Sequence, residues 1–331
     1  MLPTMSTPEA HNRQNAGNSP ETNALSIGPV AASGQMESLK LLFSSLSPSQ
    51  QLSEAQRLFQ MAREGKVTLD GLLRADRAGR LAGVIWAQIQ IGRTATVWQP
   101  RMTAAETEDE QTGQATARAL VTAATSFLAG RDVCLGQMLS PSRDLPEVAA
   151  FEACGYEYLA ELEYLFGTPP GGDEPTVAGL AFEPYSEANH DEFISAMERT
   201  YDETLDCPAL NGIRSSDDVI AGYQATGTFA PERWFLLRYE DQAAGCLLLT
   251  DHAETDQYEL VYMGLVPEAR GNKLGKVVAQ YALWKTHLAG RKRLVLAVDA
   301  KNEPAKAMYH ACGLTAWERR HVWTRRFAEK K

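Results

Sequence analysis

The sequence predicts an α/β protein with a mixed β-sheet, built as two tandem copies of one α/β unit. Two observations indicate this: β-like and helix-like runs alternate along the chain, and one short pattern occurs twice. The pattern begins at Phe151 (FEACGY) and again at Tyr309 (YHACGL), each time closing a helix-like run and opening a strand-like run. Upstream of each copy, at similar distances, an Ala-Gly-Arg ends another helix. A tandem duplication explains these features together; a chance match is the alternative.

Composition limits the function classes. The chain has 331 residues, enough for about two domains, with 44% hydrophobic and 22% charged residues. The net charge of -10 argues against a protein that neutralises nucleic-acid phosphates. The 5 cysteines are odd in number and lack CxxC spacing, which favours free thiols in a reducing cytosol. Histidine spacing indicates no metal site. We find no apolar run of about 18 residues and no secretory leader, so a cytoplasmic protein without a membrane span is expected.

Four segments are expected. Residues 1–35 are rich in Asn, Ser, Pro, Gly and Ala without an apolar period, which predicts a disordered N-terminal tail. Residues 168–179 are rich in proline and glycine and are interpreted as a linker. The two domains are then residues 36–167 and 180–331.

Both domains show strand pairs that suit hairpins. In the first, residues 72–75 and 81–90 flank a polar turn. The second predicts a β-α-α-β-β-β-α-β-α-β order, with these segments: a strand at 180–184, helices at 188–200 and 215–226, a hairpin of 234–239 with 244–250, a strand at 258–266, a helix at 272–288, a strand at 294–298, a helix at 303–312 and a final strand at 317–327.

A turn in the second domain is a candidate anion site. The segment RGNKLG, starting at Arg270, follows a strand-like run and opens a helix-like run. Its backbone N–H groups would therefore converge at the positive end of a helix dipole, where a diphosphate can bind. An ordinary helix start is the alternative. Pro267 and the strand before it favour the anion cradle.

A second motif lies close to the C-terminus. In NEPAKAMYHACGL, residues Asn302, Ala305, Tyr309 and Gly313 follow the spacing N-x-x-A-x-x-x-Y-x-x-x-G. With RGNKLG, this motif resembles the acyl-CoA-binding motifs of the GNAT N-acetyltransferase superfamily, whose element order also matches the second domain. The resemblance implies two tandem GNAT acyl-CoA N-acyltransferase folds, in an arrangement similar to that of mycothiol synthase.

The resemblance also implies a reaction. Acetyl-CoA, or another acyl-CoA, would be the co-substrate, and the acyl group would pass by direct attack to a primary amine of a small molecule or peptide. No metal, nucleic acid or membrane is implied. A non-catalytic acyl-CoA-binding or sensing protein is the alternative, favoured by the departures from the family pattern described below.

The resemblance implies cofactor-binding roles for several residues. The diphosphate loop comprises Arg270, Gly271, Asn272, Lys273, Leu274 and Gly275, with Lys276 following. Backbone groups freed by a bulge or splay near Leu265 and Val266 would pair with the pantetheine arm, and Asn302 and Ala305 would help to hold the cofactor. Lys273 replaces a motif glycine, which costs roughly 1 kcal/mol if the backbone there is left-handed. Its ammonium could offset that cost by pairing with phosphate.

Two residues are candidate catalysts. The resemblance places Tyr309 beside the sulfur, where its phenol would protonate the departing thiolate. Glu259 would remove a proton from the acceptor amine, which attacks only as the free base. A packing role for Tyr309 and a solvated strand end for Glu259 are the alternatives.

The acceptor site and the first domain are less defined. Residues 201–214 lie between two predicted helices and either shape the acceptor groove or form an ordinary helix connection. The first domain has Phe151 in place of Tyr309 and keeps only Gly113 and Ala115 of the diphosphate loop. Carboxylates within residues 106–110 would repel a diphosphate. We interpret this domain as a degenerate copy with a structural or acceptor-shaping role.

Overall fold

The computed structural model describes residues 24–328. Its strands are Leu25–Pro29 (β1), Leu72–Arg77 (β2), Arg80–Gln90 (β3), Thr94–Val97 (β4), Arg101–Met102 (β5), Leu135–Ser140 (β6), Glu157–Gly167 (β7), Leu180–Pro184 (β8), Trp234–Tyr239 (β9), Gln242–His252 (β10), Gln257–Leu265 (β11), Arg293–Asp299 (β12) and Thr315–Arg326 (β13). Its helices are Gln35–Leu42 (α1), Pro48–Arg63 (α2), Ala104–Thr107 (α3), Glu110–Ala129 (α4), Pro146–Ala153 (α5), His190–Arg199 (α6), Ser216–Gln224 (α7), Leu274–Leu288 (α8) and Glu303–Ala311 (α9). The predicted α/β class with a mixed sheet is confirmed.

The predicted tail is too long at its C-terminal end. Residues 1–23 lie outside the described range, but residues 25–29 form β1, which pairs with β2 from Leu25↔Arg77 to Pro29↔Leu73. Leu25 and Ile27 pack against the core of the first half. Composition alone missed this period-2 alternation, which is the signature of a half-buried strand.

The two halves share one continuous sheet, because each gives its last strand to the other. The strand order is β1-β2-β3-β4-β6-β13-β7-β12-β11-β10-β9-β8. Thus β13, from the second half, pairs with β6 of the first half, and β7 pairs with β12 of the second. Between them, β7 and β13 pair with each other. Trp323 on β13 is accordingly buried in the first core, and Leu165 on β7 in the second.

Each half packs one long helix on the sheet. On α4, Leu120, Val121, Ala124 and Leu128 recur at helical spacing and are buried in the first core. On α8, Val278, Ala279, Ala282 and Leu283 occupy the same position in the second. Residues 168–179 form neither helix nor strand and connect β7 to β8. The exact domain boundaries stay a prediction.

A turn of the first half rests on α7 of the second. Gly92, between β3 and β4, has φ 84°, and a Cβ there would lie 2.3 Å from the backbone oxygen of Asp218. Next to it, Arg93 forms ion pairs with Asp132 (3.0 Å) and Asp218 (3.6 Å). Only glycine fits so close a backbone approach with positive φ, so this turn fixes the position of α7.

Candidate active site

A V-shaped opening between two parallel strands forms the centre of the candidate site. β11 and β12 pair only from Gln257↔Arg293 to Glu259↔Val295. Beyond that point β11 follows β10, and Val261 is an extra residue in β11, because Leu248 pairs with Tyr262 and Leu249 with Leu260. A cavity of about 1020 Å³ occupies the region where the strands separate.

Most of the predicted cofactor-binding residues line one end of this cavity. They are Leu265, Arg270, Gly271, Lys273, Leu274, Gly275, Lys276, Asn302 and Ala305. They come from the end of β11, the loop before α8, the first turn of α8 and the start of α9. The structure therefore brings together two motifs that are well separated in the sequence.

Two predicted cofactor residues do not line the cavity. Val266 is 2% exposed; its N–H donates to the carbonyl of Ala244 and its carbonyl accepts from the N–H of Ala269 (both 3.0 Å). Its backbone is therefore not free for a pantetheine arm, and the strand irregularity lies at Val261 instead. Asn272 is exposed, and its side-chain N–H donates to the carbonyl of Ala269 (3.5 Å). The prediction for Val266 is corrected because tertiary pairing satisfies both of its polar groups.

The loop before α8 leaves the helix N-terminus open. No side chain caps α8, and the preceding Lys273 takes a left-handed conformation with φ 61° and ψ 9°. Gly271 has φ 80°, and a Cβ there would meet no neighbouring atom, so the glycine serves the backbone conformation rather than a close contact. The first N–H groups of α8 therefore lack intrahelical partners beside the cavity, as an anion site requires.

The left-handed lysine leads to a testable trade-off. Lys273→Gly is expected to stabilise the unliganded protein by about 1 kcal/mol, because glycine adopts positive φ without steric cost. The same change is expected to weaken acetyl-CoA binding, since it removes an ammonium from the cavity wall. Thermal unfolding and calorimetric titration measure the two effects. Lys276→Gln is the matched control: it removes a neighbouring charge inside α8 and should not raise the melting temperature. A destabilised Lys273→Gly protein would contradict the argument.

Arg270 acts as a clamp. Its guanidinium donates to three backbone carbonyls, those of Leu265 (3.0 Å), Thr200 (3.0 Å) and Glu203 (3.4 Å). The side chain is thus occupied with protein carbonyls, which the resemblance did not indicate. It ties the cofactor loop to the segment that follows α6, so the two ends of the cavity are mechanically linked.

Asn302 begins α9 and thereby positions Tyr309. The side-chain oxygen of Asn302 accepts the N–H of Ala305 (3.3 Å), an N-cap that accounts for the spacing of these two motif residues. Tyr309 follows about two turns later. It is 5% exposed in the second core, and burial raises its pKa. Its hydroxyl has no hydrogen-bond partner within residues 24–328. Ala305 and Met308 line the cavity beside it.

Glu259 lies at the apex of the V but not in the cavity wall. It is the last residue of β11 that pairs with β12. Its carboxylate is 2.7 Å from Nε2 of His252, and this hydrogen bond raises the pKa of the histidine. A contact between Glu259 and a substrate in the cavity would therefore need an intervening water.

The other end of the cavity includes Tyr262 and Tyr223, which sequence reasoning missed, together with Tyr201 of the predicted acceptor segment. Tyr262 packs against Tyr223 and Tyr201, with ring centroids 5.8 Å away in each case. The first half contributes Leu135, Gln137 and Leu162 to the wall. No local signal could reveal these three, because they reach the cavity only through the shared sheet. The predicted segment 201–214 does line this end, chiefly through residues 203–207 and 210–212.

In the first half, the counterpart of the anion cradle is filled by the protein itself. Asp109 caps α4 by accepting the N–H of Thr112 (3.0 Å). Glu106, 6% exposed, is bound by Arg77 (2.8 Å) and by the hydroxyl of Thr116. The predicted repulsion by these carboxylates therefore takes a more specific form: Asp109 occupies the N-terminus of α4, where an anion would bind, and Glu106 is paired with Arg77.

The described part of the first half has no opening like the one between β11 and β12, because a side chain bridges its corresponding strands. There β4 and β6 form the parallel pair, and Gln99, just beyond β4, donates its side-chain N–H to the carbonyl of Leu139 (3.1 Å). Phe151, the counterpart of Tyr309, is fully buried edge-on against Tyr156 at a centroid distance of 5.1 Å. Phe151 therefore packs in the core as an aromatic ring, but it has no hydroxyl proton to donate.

The described range contains neither a metal-ligand group nor a membrane-spanning helix. Across residues 24–328, no three His, Cys, Asp or Glu side chains group as metal ligands would. No helix in that range has the length and apolar character needed to cross a bilayer.

Part of the second half matches the model of a known protein family. The model of the acetyltransferase (GNAT) family matches residues 194–314. A mycothiol acetyltransferase of Streptomyces bingchenggensis is 37% identical over 92 residues, and one of Streptomyces griseus subsp. griseus is 31% identical over 90 residues. Each match covers 27% of this chain and 29% of the relative. The chain thus matches less than a third of the length of these curated relatives.

Solved structures show the same fold over nearly the whole chain. A GCN5-related N-acetyltransferase from Sphaerobacter thermophilus superposes with a TM-score of 0.61 at 13% identity, covering 91% of this chain and 95% of that one. A tandem GNAT protein from the clavulanic acid biosynthesis pathway gives 0.53 at 14% identity, covering 93% and 100%. The tandem arrangement is consistent with these neighbours.

Proposed function

We propose, from the GNAT acetyltransferase domain that this chain carries in residues 194–314, that the protein is an acyl-CoA-dependent N-acyltransferase whose co-substrate is acetyl-CoA. The observation that carries the proposal is the uncapped N-terminus of α8 beside a cavity between two separating strands. The diphosphate would lie on the N–H groups of the first turn of α8, and the acyl arm would extend toward the apex of the V. The acceptor is a primary amine.

Positioning supplies most of the catalysis in this proposal. The nitrogen of the free amine attacks the thioester carbonyl, and collapse of the adduct breaks the carbon–sulfur bond. Tyr309 donates its hydroxyl proton to the departing thiolate. Glu259, held by His252, receives the proton of the amine through a water. One proton is released for each amide formed from an ammonium.

The first half, in this proposal, shapes the acceptor end. It supplies Leu135, Gln137 and Leu162 to the cavity wall, and its Gly92 turn holds α7 in place. The N-terminus of its own α4 is occupied by Asp109. We therefore expect the second half of the chain, and not the first, to bind the cofactor.

A non-catalytic acyl-CoA-binding protein is the second candidate. The observation that favours it is that neither Tyr309 nor Glu259 lines the cavity directly. Turnover separates the candidates: release of coenzyme A in the presence of a panel of small primary amines supports the transferase, and tight binding without release on any amine supports the binding protein.

Calorimetric titration with acetyl-CoA tests where the cofactor binds. We expect one site per chain. Arg270→Glu should abolish it, because a carboxylate in place of the guanidinium repels both the diphosphate and the three carbonyls that Arg270 now binds. Arg238→Glu is the matched control, since Arg238 also forms several bonds, to Glu183 and Glu192, outside the cavity. Two sites of similar affinity, or unchanged binding in Arg270→Glu, would refute the assignment.

A further inference from the structure

Asp206 is a carboxylate in the acceptor end of the cavity that the proposed reaction does not yet use. It lies in the segment between α6 and α7 and lines the cavity. One of its oxygens, Oδ1, accepts the N–H of Asp299 (2.8 Å), while Oδ2 of Asp299 accepts the N–H of Cys207 (3.2 Å). These reciprocal bonds hold Asp206 at the end of β12. Its other oxygen, Oδ2, has no partner in the described part of the chain.

Asp206 also lacks a positive partner. Within residues 24–328 no Lys, Arg or His forms an ion pair with Asp206 or with Asp299. Asp206 is solvent-accessible, and it lines the cavity. The surrounding protein atoms reduce the hydration of its carboxylate and raise its pKa, the N–H of Asp299 opposes that rise, and the charge of Asp299 adds to it. A carboxylate at a cavity wall that lies beside a second carboxylate and lacks a positive partner is stabilised by a cation that enters the cavity.

The aromatic wall suits a cation. The Thr200 hydroxyl donates its single proton to the carbonyl of Met197 (2.5 Å), so in its 2.6 Å contact with Tyr262 it must accept. The Tyr262 hydroxyl proton is therefore committed to Thr200, and its oxygen remains available only as an acceptor. The rings of Tyr201 and Tyr223 pack on Tyr262 at interplanar angles of 73° and 25°. Such rings attract ammonium groups through their π-faces.

Asp206 is electrostatically coupled to Tyr309, at the proposed reaction centre. After burial, the charge of Asp206 is the next cause that raises the pKa of Tyr309. The same charge also contributes to the raised pKa of Tyr223 on α7. Arg214, a cation at this end of the cavity, donates to the carbonyl of Gly92 (3.4 Å). Its charge opposes the raised pKa of Tyr201 and Tyr223, but it is not among the groups that act on Asp206.

We propose that Asp206 binds the protonated amino group of the acceptor, with Tyr262 and its two aromatic neighbours enclosing the group that carries it. The acceptor class is then a small primary ammonium compound with an apolar or aromatic body. Asp206 holds the ammonium near Tyr309 until a proton is removed and the free amine attacks. This inference rests on the proposed function, because the ammonium needs an acyl-CoA beside it.

A pair of isosteric probes tests the site. Benzylamine, charged at pH 7, and benzyl alcohol, uncharged, are titrated into the full-length protein saturated with coenzyme A. Ligand-observed NMR detects weak binding of both. Wild-type protein should bind benzylamine about 10-fold more tightly than the alcohol, the size expected for a charge-assisted hydrogen bond. Asp206→Asn should remove this preference without changing the affinity for the alcohol, because asparagine keeps an oxygen for the N–H of Asp299.

Glu203→Gln is the matched control, since Glu203 is the other carboxylate that lines the cavity. Retained preference in this variant, with loss in Asp206→Asn, supports the proposal. Equal binding of both probes by the wild type, binding of neither, or a preference that survives Asp206→Asn would overturn it. Failure of coenzyme A itself to bind contradicts the proposed function, and the inference with it. Normal binding of coenzyme A without the preference overturns the inference alone.

Discussion

Tyr309→Phe is expected to lower kcat roughly 100-fold while leaving the affinity for acetyl-CoA unchanged. The substitution removes one oxygen from a ring that stays buried among the same neighbours in the second core. The hydroxyl has no partner in the described part of the chain, so its loss leaves no unsatisfied group behind. Without the hydroxyl, the departing thiolate has no proton donor, so we expect the chemical step to slow. Steady-state kinetics and a calorimetric titration measure the two quantities.

Tyr281→Phe provides the control for this result. Tyr281 lies on α8 in the same core, with an exposure of 6% against 5% for Tyr309, and stacks on Phe182. The same substitution there should change kcat by less than about twofold if only proton donation matters. Equal kcat values for wild type and Tyr309→Phe would leave the tyrosine as a packing residue. A matching loss in Tyr281→Phe would assign the effect to core packing.

The two halves are expected to fail to fold when produced separately. Residues 24–167 alone would lack β13, leaving the edges of β6 and β7 unpaired, and Trp323 would be missing from the first core. Residues 180–328 alone would lack β7, which separates β12 from β13 and contributes Leu165 to the second core. Circular dichroism and calorimetry should show unfolded or aggregated halves, since long unpaired strand edges favour aggregation.

Cleavage after folding is the control for this prediction. A protease site placed within residues 168–179, which form no helix or strand, should be cut without loss of structure, because strand pairing holds the pieces together. The nicked protein and the intact chain should each show a single cooperative transition. Two transitions that match those of isolated, folded halves would contradict the shared-sheet argument.

The parts of the site that the sequence predicts depend on local chemistry. Residue spacing revealed the Asn302 motif, and the structure supplies its reason in the cap to Ala305. The loop from Arg270 to Gly275 was found because a strand, a turn with glycines and a helix follow one another along the chain. The sequence left the backbone conformation of Lys273 open, and its φ of 61° is left-handed.

The sequence predictions failed where segments distant in the chain form hydrogen bonds or pair as strands. The backbone N–H and carbonyl of Val266 are hydrogen-bonded to Ala244 and Ala269, and the bulge lies at Val261. Arg270 was expected to meet a phosphate, yet it binds carbonyls of the segment after α6. The tail assignment failed at residues 25–29 because a short edge strand becomes stable only when β2 is beside it.

By itself, the sequence determined the α/β class and predicted the tandem arrangement and a candidate anion-binding loop, because helical periodicity, glycine placement and motif spacing are properties of neighbouring residues. The tertiary structure alone decided that each half completes the other, with β7 and β13 exchanged across one sheet. It also placed Asp206 in the cavity wall without a positive partner, and it placed Asp109 on the N-terminus of α4 in the first half. These features depend on which residues meet across long stretches of chain, where burial, strand pairing and charge neutralisation are settled only after folding.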